Sequence, residues 1–254
     1  MKRLCLLFLC AISAGAAVGP RRLWPLPLPV AHYRLEGANL GSVWMDSMGT
    51  NHLSNTHTSG TRPATNTGKM FLSAAFATNS LSFLASSSTN LNGLQNTNFC
   101  VAVWFNPTNI QDYRQVIARR GSTGAEWAMD VYKNNGAMSL RWLGYDTGWK
   151  VLAVTNPIIY ANTWNLFVGY RDGTNWGARL FTPSQPSEIT TGMVLTTTFN
   201  NWSPLAIGNS AGGSASSCFC GLIDSVTIWK EMLTSGQMIG IWNLGHGGLD
   251  FYTQ

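Results

Sequence analysis

Charged side chains are scarce in this chain. Lys and Arg number 16 and Asp and Glu 11 among 254 residues, a formal net charge of +5. Beyond the first residues the only basic pairs are Arg21-Arg22 and Arg119-Arg120, so the electrostatic footprint of a nucleic-acid binder is missing. Long apolar runs are missing too. Residues 4–12 form an apolar stretch, but a membrane-spanning helix needs roughly 20 such residues. Carboxylates are too few for the acid-and-nucleophile strand of a glycosidase. Glu126 and Asp130 come nearest, yet four residues along a strand separate them by roughly 13 Å, beyond the spacings that retaining and inverting hydrolysis use. No phosphate-cradling loop and no dinucleotide fingerprint is present. The expectation is a protein that is not an enzyme. Cysteine is limited to five residues, and Cys218-Phe219-Cys220 without clustered His is a poor zinc site.

Apolar and aromatic residues are plentiful. Hydrophobic residues make up 45% of the chain and 11 are Trp, which supplies ample burial and argues against disorder. The length suits one large core, and all-β domains of this size occur as single units. Residues 1–20, MKRLCLLFLCAISAGAAVGP, read as a secretory leader: a short basic start, an apolar run, then small residues. The expected leader is residues 1–17, followed by a Pro-rich linker at 18–30 and a single domain at 31–254. Removing Lys2 and Arg3 with the leader leaves 14 basic against 11 acidic residues, a net charge of +3. Three cysteines then remain, Cys100, Cys218 and Cys220.

From residue 31 the pattern is β: short runs of alternating or β-branched residues broken by Gly, Asn, Asp and Pro. Asn135-Gly136 between EWAMDVY and AMSLRWL is a hairpin turn, because both residues tolerate positive φ. Residues 54–69 and 209–217 read as polar loops. Near the C-terminus, Leu222, Asp224, Val226 and Ile228 alternate with Ile223, Ser225, Thr227 and Trp229, as on a strand. A short helix follows, with Thr234 or Ser235 as N-cap, Met238, Ile241 and Trp242 at helical spacing, and Gly245 at its end.

That closing run, residues 219–245, resembles the last segment of LamG-like domains of the concanavalin A-like lectin/glucanase superfamily, with Ser225 in place of the usual Glu. The opening AHYRLEG, the turn WMDSMGTNHLSN, the strand FCVAVWFNP and the runs VIARRG, EWAMDVY, TWNLFVGYRDG and SPLAIGN resemble other segments of the family in the same order, over about residues 31–246. The resemblance implies an all-β, two-sheet antiparallel β-sandwich of jelly-roll type with a short C-terminal helix. It also implies a calcium site built from Glu36, Asp46, Asn51 and Asp224, because the first strand, the following turn and the last strand lie near one another in that fold. The other reading of these residues is that Asp46 caps its own turn and Asp224 bonds a backbone amide or Arg34. The same fold makes the strands bearing Cys100 and Cys218/Cys220 neighbours, so one disulfide and three buried thiols are both open.

The implied function is a secreted lectin-type module for glycan or polysaccharide; the alternative is a structural or adhesive module that binds an extracellular protein. Sugars are held by aromatic faces plus amide and carboxylate hydrogen bonds. Trp104, Trp127, Trp164 and Trp229 lie in strand motifs and read as core. Trp142, Trp149, Trp176, Trp202 and Tyr145 lie near turns. Tyr145, Asp146 and Trp149 in one turn, and Asn175 with Trp176 in another, are the sugar-site candidates, since a six-residue turn cannot easily bury two rings.

Overall fold

In a computed structural model of the protein, described over residues 26–39, 43–55, 63–77, 83–109, 112–120, 125–184, 190–196, 203–213 and 215–250, the alternating runs form strands. In chain order these are β1 (Ala31–Asn39), β2 (Val43–Asp46), β3 (Leu53–Asn55), β4 (Ala64–Thr67), β5 (Leu72–Phe76), β6 (Leu84–Ser86), β7 (Phe99–Pro107) and β8 (Arg114–Arg120). They continue as β9 (Ala125–Asn134), β10 (Ala137–Tyr145), β11 (Trp149–Ile159), β12 (Asn165–Asp172), β13 (Asn175–Phe181), β14 (Thr190–Val194), β15 (Leu205–Ile207) and β16 (Gly221–Trp229). One helix, α1 (Ser235–His246), follows. The expected leader, most of the linker and Trp202 lie outside the described residues. The end of the linker is packed: Leu26 is buried, and Trp229 Nε1 donates to the Pro27 carbonyl.

Antiparallel ladders join the strands in the order β11-β10-β9-β8-β15-β6-β3-β2-β1-β16-β7-β12-β13-β14, with β5 also on β16 and β4 on β5. The hydrogen bonding is therefore one continuous path rather than two separate sheets. The path curls until β11 packs against β13 and β14, which nearly closes it. Asn135 and Gly136 both have positive φ, 49° and 86°, and join β9 to β10 with Asn134 opposite Ala137, as that dipeptide requires.

Inside the curl, Phe99, Trp127, Trp142, Phe167 and Trp176 form a ring cluster with centroids 5.4–6.1 Å apart. A second apolar layer lies outside β7, β12 and β16, where Cys100, Trp104, Val168 and Trp229 meet Met238 and Ile241 of α1. Trp242 of the helix stacks on Trp104 at 5.2 Å. Thr234 caps α1 in a box with Gln237, and the helix ends at Gly247 rather than Gly245. Gly245 instead lies against the Trp104 indole, where a Cβ would come within 2.4 Å of the ring.

The last strand departs from simple alternation. A bulge between Asp224 and Val226, with Ser225 at φ 38°, inserts one extra residue. Ile223, Val226 and Ile228 therefore share the inner core, while Asp224 faces away from Val226 and Ile228, two of the three residues it was expected to accompany. Of the two polar stretches read as loops, residues 64–67 form β4 and residues 215–217 a 3-10 turn.

Candidate functional site: an open face on β8 to β11

Helix α1 covers one part of the sheet's outer surface, and no helix covers the outer face of β8–β11 among the described residues. Strand alternation decides what that face carries. Trp127, Met129 and Val131 of β9 and Met138, Leu140 and Trp142 of β10 point inward. Ala128, Asp130, Arg141 and Leu143 therefore point outward. Registers align them in rows: Gln115, Asp130, Arg141 and Ala153, then Ala118, Ala128, Leu143 and Val151. Trp149 packs at the edge of the Ala118–Ala128–Leu143 patch.

The result is a depression of about 270 Å³ whose lining includes Tyr113, Gln115, Arg120, Asp130, Arg141 and Trp149. At its centre Arg141 donates from Nε (2.8 Å) and from a second guanidinium nitrogen to the two oxygens of Asp130. The guanidinium also lies 4.3 Å from the ring centre of Tyr113 and 5.2 Å from that of Tyr132. Tyr113 stacks on Tyr132 and remains 55% exposed. Burial pushes the Asp130 carboxyl up, opposed by the hydrogen bond and charge of Arg141 and the charge of Arg120. Burial works against the Arg141 charge, but Asp130 outweighs it and holds that guanidinium protonated more firmly than usual. On the other side, Trp149 is half-buried, with Tyr145 edge-on at 5.3 Å and the Arg120 guanidinium at 5.3 Å. Gln115 is 5% exposed, and its Oε1 has no hydrogen-bond partner among the described residues. A buried acceptor left this way costs roughly 1–3 kcal/mol until something donates to it.

The turn at residues 145–149 thus contributes Trp149, with Tyr145 supporting it and Asp146 bonding back across the turn to Gly148. The second expected turn does not contribute. Trp176 is fully buried in the ring cluster, because β13 turns it inward with Ala178 and Leu180, and Trp142 is buried for the same reason on β10. Asn175 is exposed at the start of β13, away from the depression's lining. Sequence reading passed over Tyr113, Gln115, Arg120 and Arg141. The available signal was a charged residue interrupting each of two apolar strands, Asp130 and Arg141, placed opposite one another by the Asn-Gly hairpin.

Each of the expected calcium ligands already has partners within the fold. Asp46 Oδ1 accepts from the amides of His32 (2.8 Å) and Met48 (3.0 Å), and Oδ2 from Asn51 N (3.1 Å) and Nδ2 (3.0 Å). A carboxylate has about four lone-pair sites, so Asp46 is saturated. The Asn51 amide oxygen accepts from the Ser88 hydroxyl. Glu36 pairs with Arg34 at 3.2 Å. Asp224 Oδ2 accepts from the amides of Lys69 (2.7 Å) and Met70 (3.0 Å), which anchors the β4–β5 turn. Burial pushes the Asp224 carboxyl up to about 7 despite those bonds, helped by the charge of Asp250. No group of three or more His, Cys, Asp or Glu fit to hold a metal occurs among the described residues. Glu36 and Asp46 do share a larger depression, about 540 Å³, with Arg34, Met45 and His52, but no Trp, Tyr or Phe lines it.

Two other motifs resolve as architecture. Glu126 accepts from Ser203 N (2.9 Å) and pairs with Arg119 (3.3 Å), which itself grips the Ser203 carbonyl. Burial pushes Glu126 up to about 7, against the Arg119 charge and the Ser203 amide. Gly208-Asn209-Ser210-Ala211-Gly212 matches the Gly-x-Ser-x-Gly spacing, but Ser210 is buried in a turn after β15 that leads to no α-helix. Among the described residues no disulfide joins Cys100, Cys218 and Cys220. Cys100 lies opposite Trp229, whereas Cys220 precedes Gly221, which lies opposite Pro107 at the far end of β7. That separation is roughly 20 Å or more, against about 7 Å for a bridge. Burial pushes the Cys100 thiol up to about 12.

The curled antiparallel sheet with one open, aromatic-lined outer face is a concanavalin A-like architecture. The family model described as the concanavalin A-like lectin/glucanases superfamily, of laminin G type, matches residues 82–238, more than half of the chain. The chain belongs to that superfamily. Among solved structures it is similar to domain 4 of AbnA, a GH43 extracellular arabinanase from Geobacillus stearothermophilus, in complex with arabinotriose (TM-score 0.57, 17% identity, 87% of this chain and 98% of that one). It is also similar to the binding domain of Paraclostridial Mosquitocidal Protein 1 (TM-score 0.61, 12% identity, 85% of this chain, 52% of that one). A third is the binding domain of Botulinum Neurotoxin DC in complex with SialylT (TM-score 0.59, 9% identity, 85% and 50%). The chain thus spans nearly all of the first and about half of the two toxin domains; these likenesses concern the fold. No curated protein matches the sequence.

Proposed function

We propose that this protein is a secreted, non-catalytic glycan-binding module whose ligand lies on the outer face of β8–β11, on one layer of a sandwich formed by the curled sheet. The observation that carries the reading is a depression on an open strand face that sets two accessible aromatic residues, Tyr113 and Trp149, beside Arg120 and the Asp130–Arg141 pair. Sugar hydroxyls hydrogen-bond to the charged groups and sugar C–H faces supply the contact for the rings. The solved structures that resemble this one include one in complex with arabinotriose and one in complex with SialylT, which supports the reading at the level of class. The carboxylates Glu126 and Asp130 each serve an arginine, which supports binding over hydrolysis. The direct hydrogen bonds of Asp46 and Asp224 to their turns support a module held without calcium. Its export rests on the leader pattern of residues 1–17, and intact mass of protein from its native host tests that part.

A glycan array followed by calorimetry on the best hit tests the binding. Trp149→Ala and Tyr113→Ala should each weaken binding by about 0.5–1.5 kcal/mol beyond lost area, or about 2- to 13-fold. Unchanged affinity in both variants would refute the site, and a blank array would favour an adhesive protein-interaction module instead.

A further inference from the structure

We infer that this face takes a glycan bearing a carboxylate, an inference that rests on the site proposed above. Three observations converge. Asp130 is the only carboxylate in the depression's lining among the described residues, and it is already matched by the two-pronged grip of Arg141. Arg120 lines the same depression, and no Asp or Glu of the described residues lies within ion-pairing distance of it. The depression's lining therefore carries a net positive charge, two arginines against one aspartate. The Arg120 guanidinium is held over the Trp149 ring at 5.3 Å, which restricts its orientation without using up its five donors. A planar fork presented in this way matches a carboxylate with two parallel hydrogen bonds.

A neutral sugar would strip water from Arg120 and return no charge. An acidic sugar returns it, because its carboxylate accepts from Arg120 beside the Trp149 ring. Arg141 is less available for this role because its charge is matched by Asp130.

The test compares matched pairs that differ in the carboxylate: oligogalacturonate with its methyl ester, sialyllactose with lactose, and a glucuronate disaccharide with its reduced form. Calorimetry at low salt should show at least one acid bound about ten-fold or more tightly than its neutral partner, the range of a hydrogen bond to a charged group. That ratio should shrink with added salt. Arg120→Gln should bring the ratio close to one, and Arg120→Lys, which keeps the charge but not the fork, should restore part of it. A melting curve on each variant separates loss of fold from loss of preference. If neutral glycans bind through Trp149 and no acid binds better, this inference falls and the glycan site stands. If an acid is preferred equally by wild type and Arg120→Gln, the inference also falls. If no glycan of any kind binds, the site reading falls and carries the inference with it.

Discussion

Replacing Asp224 with Asn separates charge from hydrogen bonding at a buried anchor of the fold. In the native protein this carboxylate is 2% exposed, accepts from the amides of Lys69 and Met70, and sits so close to Gly68 that a Cβ there would come within 2.6 Å of it. Its folded pKa of about 7 lies above the ordinary value of 3.8, chiefly through burial. The folded state therefore binds more protons than the unfolded state between those two values. Stability from this group is fully present below about pH 4 and is lost as pH rises through about 7. Between pH 5 and pH 8 the loss is about 2–3 kcal/mol, from a difference in bound protons worth about 1.4 kcal/mol per unit. Glu126, raised from 4.5 to about 7, adds a loss of the same sign and window.

The Asp224→Asn change keeps an acceptor oxygen for the turn and removes the titration. Urea unfolding at pH 5 and pH 8 should show the wild type less stable at the higher pH. The Asp224→Asn variant should lose about 2–3 kcal/mol less across the same interval and should equal or exceed the wild type at pH 8. Asp224→Ala, which strands two part-buried amides, should cost about 1–3 kcal/mol at pH 5, where the wild-type carboxyl is mostly protonated. An Asp224→Asn variant with the full wild-type pH slope would show that burial does not raise this carboxyl, and the reasoning would fail.

Other expectations follow from the same geometry. Excess chelator should leave the wild-type melting temperature unchanged, since Asp46 is saturated by four hydrogen bonds; a drop would restore a bound ion as a structural element. Trp176→Ala should destabilise by about 3–5 kcal/mol in urea, the cost of emptying a fully buried ring site, and a loss below about 1 kcal/mol would mean the ring is not in the core. Alkylation of denatured protein without reductant should label Cys100, Cys218 and Cys220 alike, and a pair resistant until reduction would contradict the strand register of β7 and β16.

Much of the fold was legible because its signals are local. The Asn135-Gly136 turn fixed one hairpin, and the Thr234–Gln237 box fixed the start of α1. The bulge at Ser225 was not legible, since an inserted residue leaves the alternation of the sequence intact while reversing the faces it describes. The candidate site was half legible. Trp149 was found because its turn is too short to hide two rings. Trp176 was misjudged because its place beside a turn says less than its parity with Ala178 and Leu180 on β13. Tyr113, Gln115 and Arg141 come together only when β8, β9 and β10 pair, and register across three strands is not written in any one of them. The calcium quartet is ambiguous for a related reason. Acidic residues that meet an ion and acidic residues that collect amides look the same in one dimension.

The most direct test of glycan binding on β8–β11 is to follow the tryptophan indole N–H resonances during titration with the strongest-binding oligosaccharide from the array. A ligand on that face should shift the Trp149 signal with concentration while those of the buried Trp104, Trp127, Trp142 and Trp176 stay in place. A Trp149 signal that stays still while the oligosaccharide saturates the protein would contradict it.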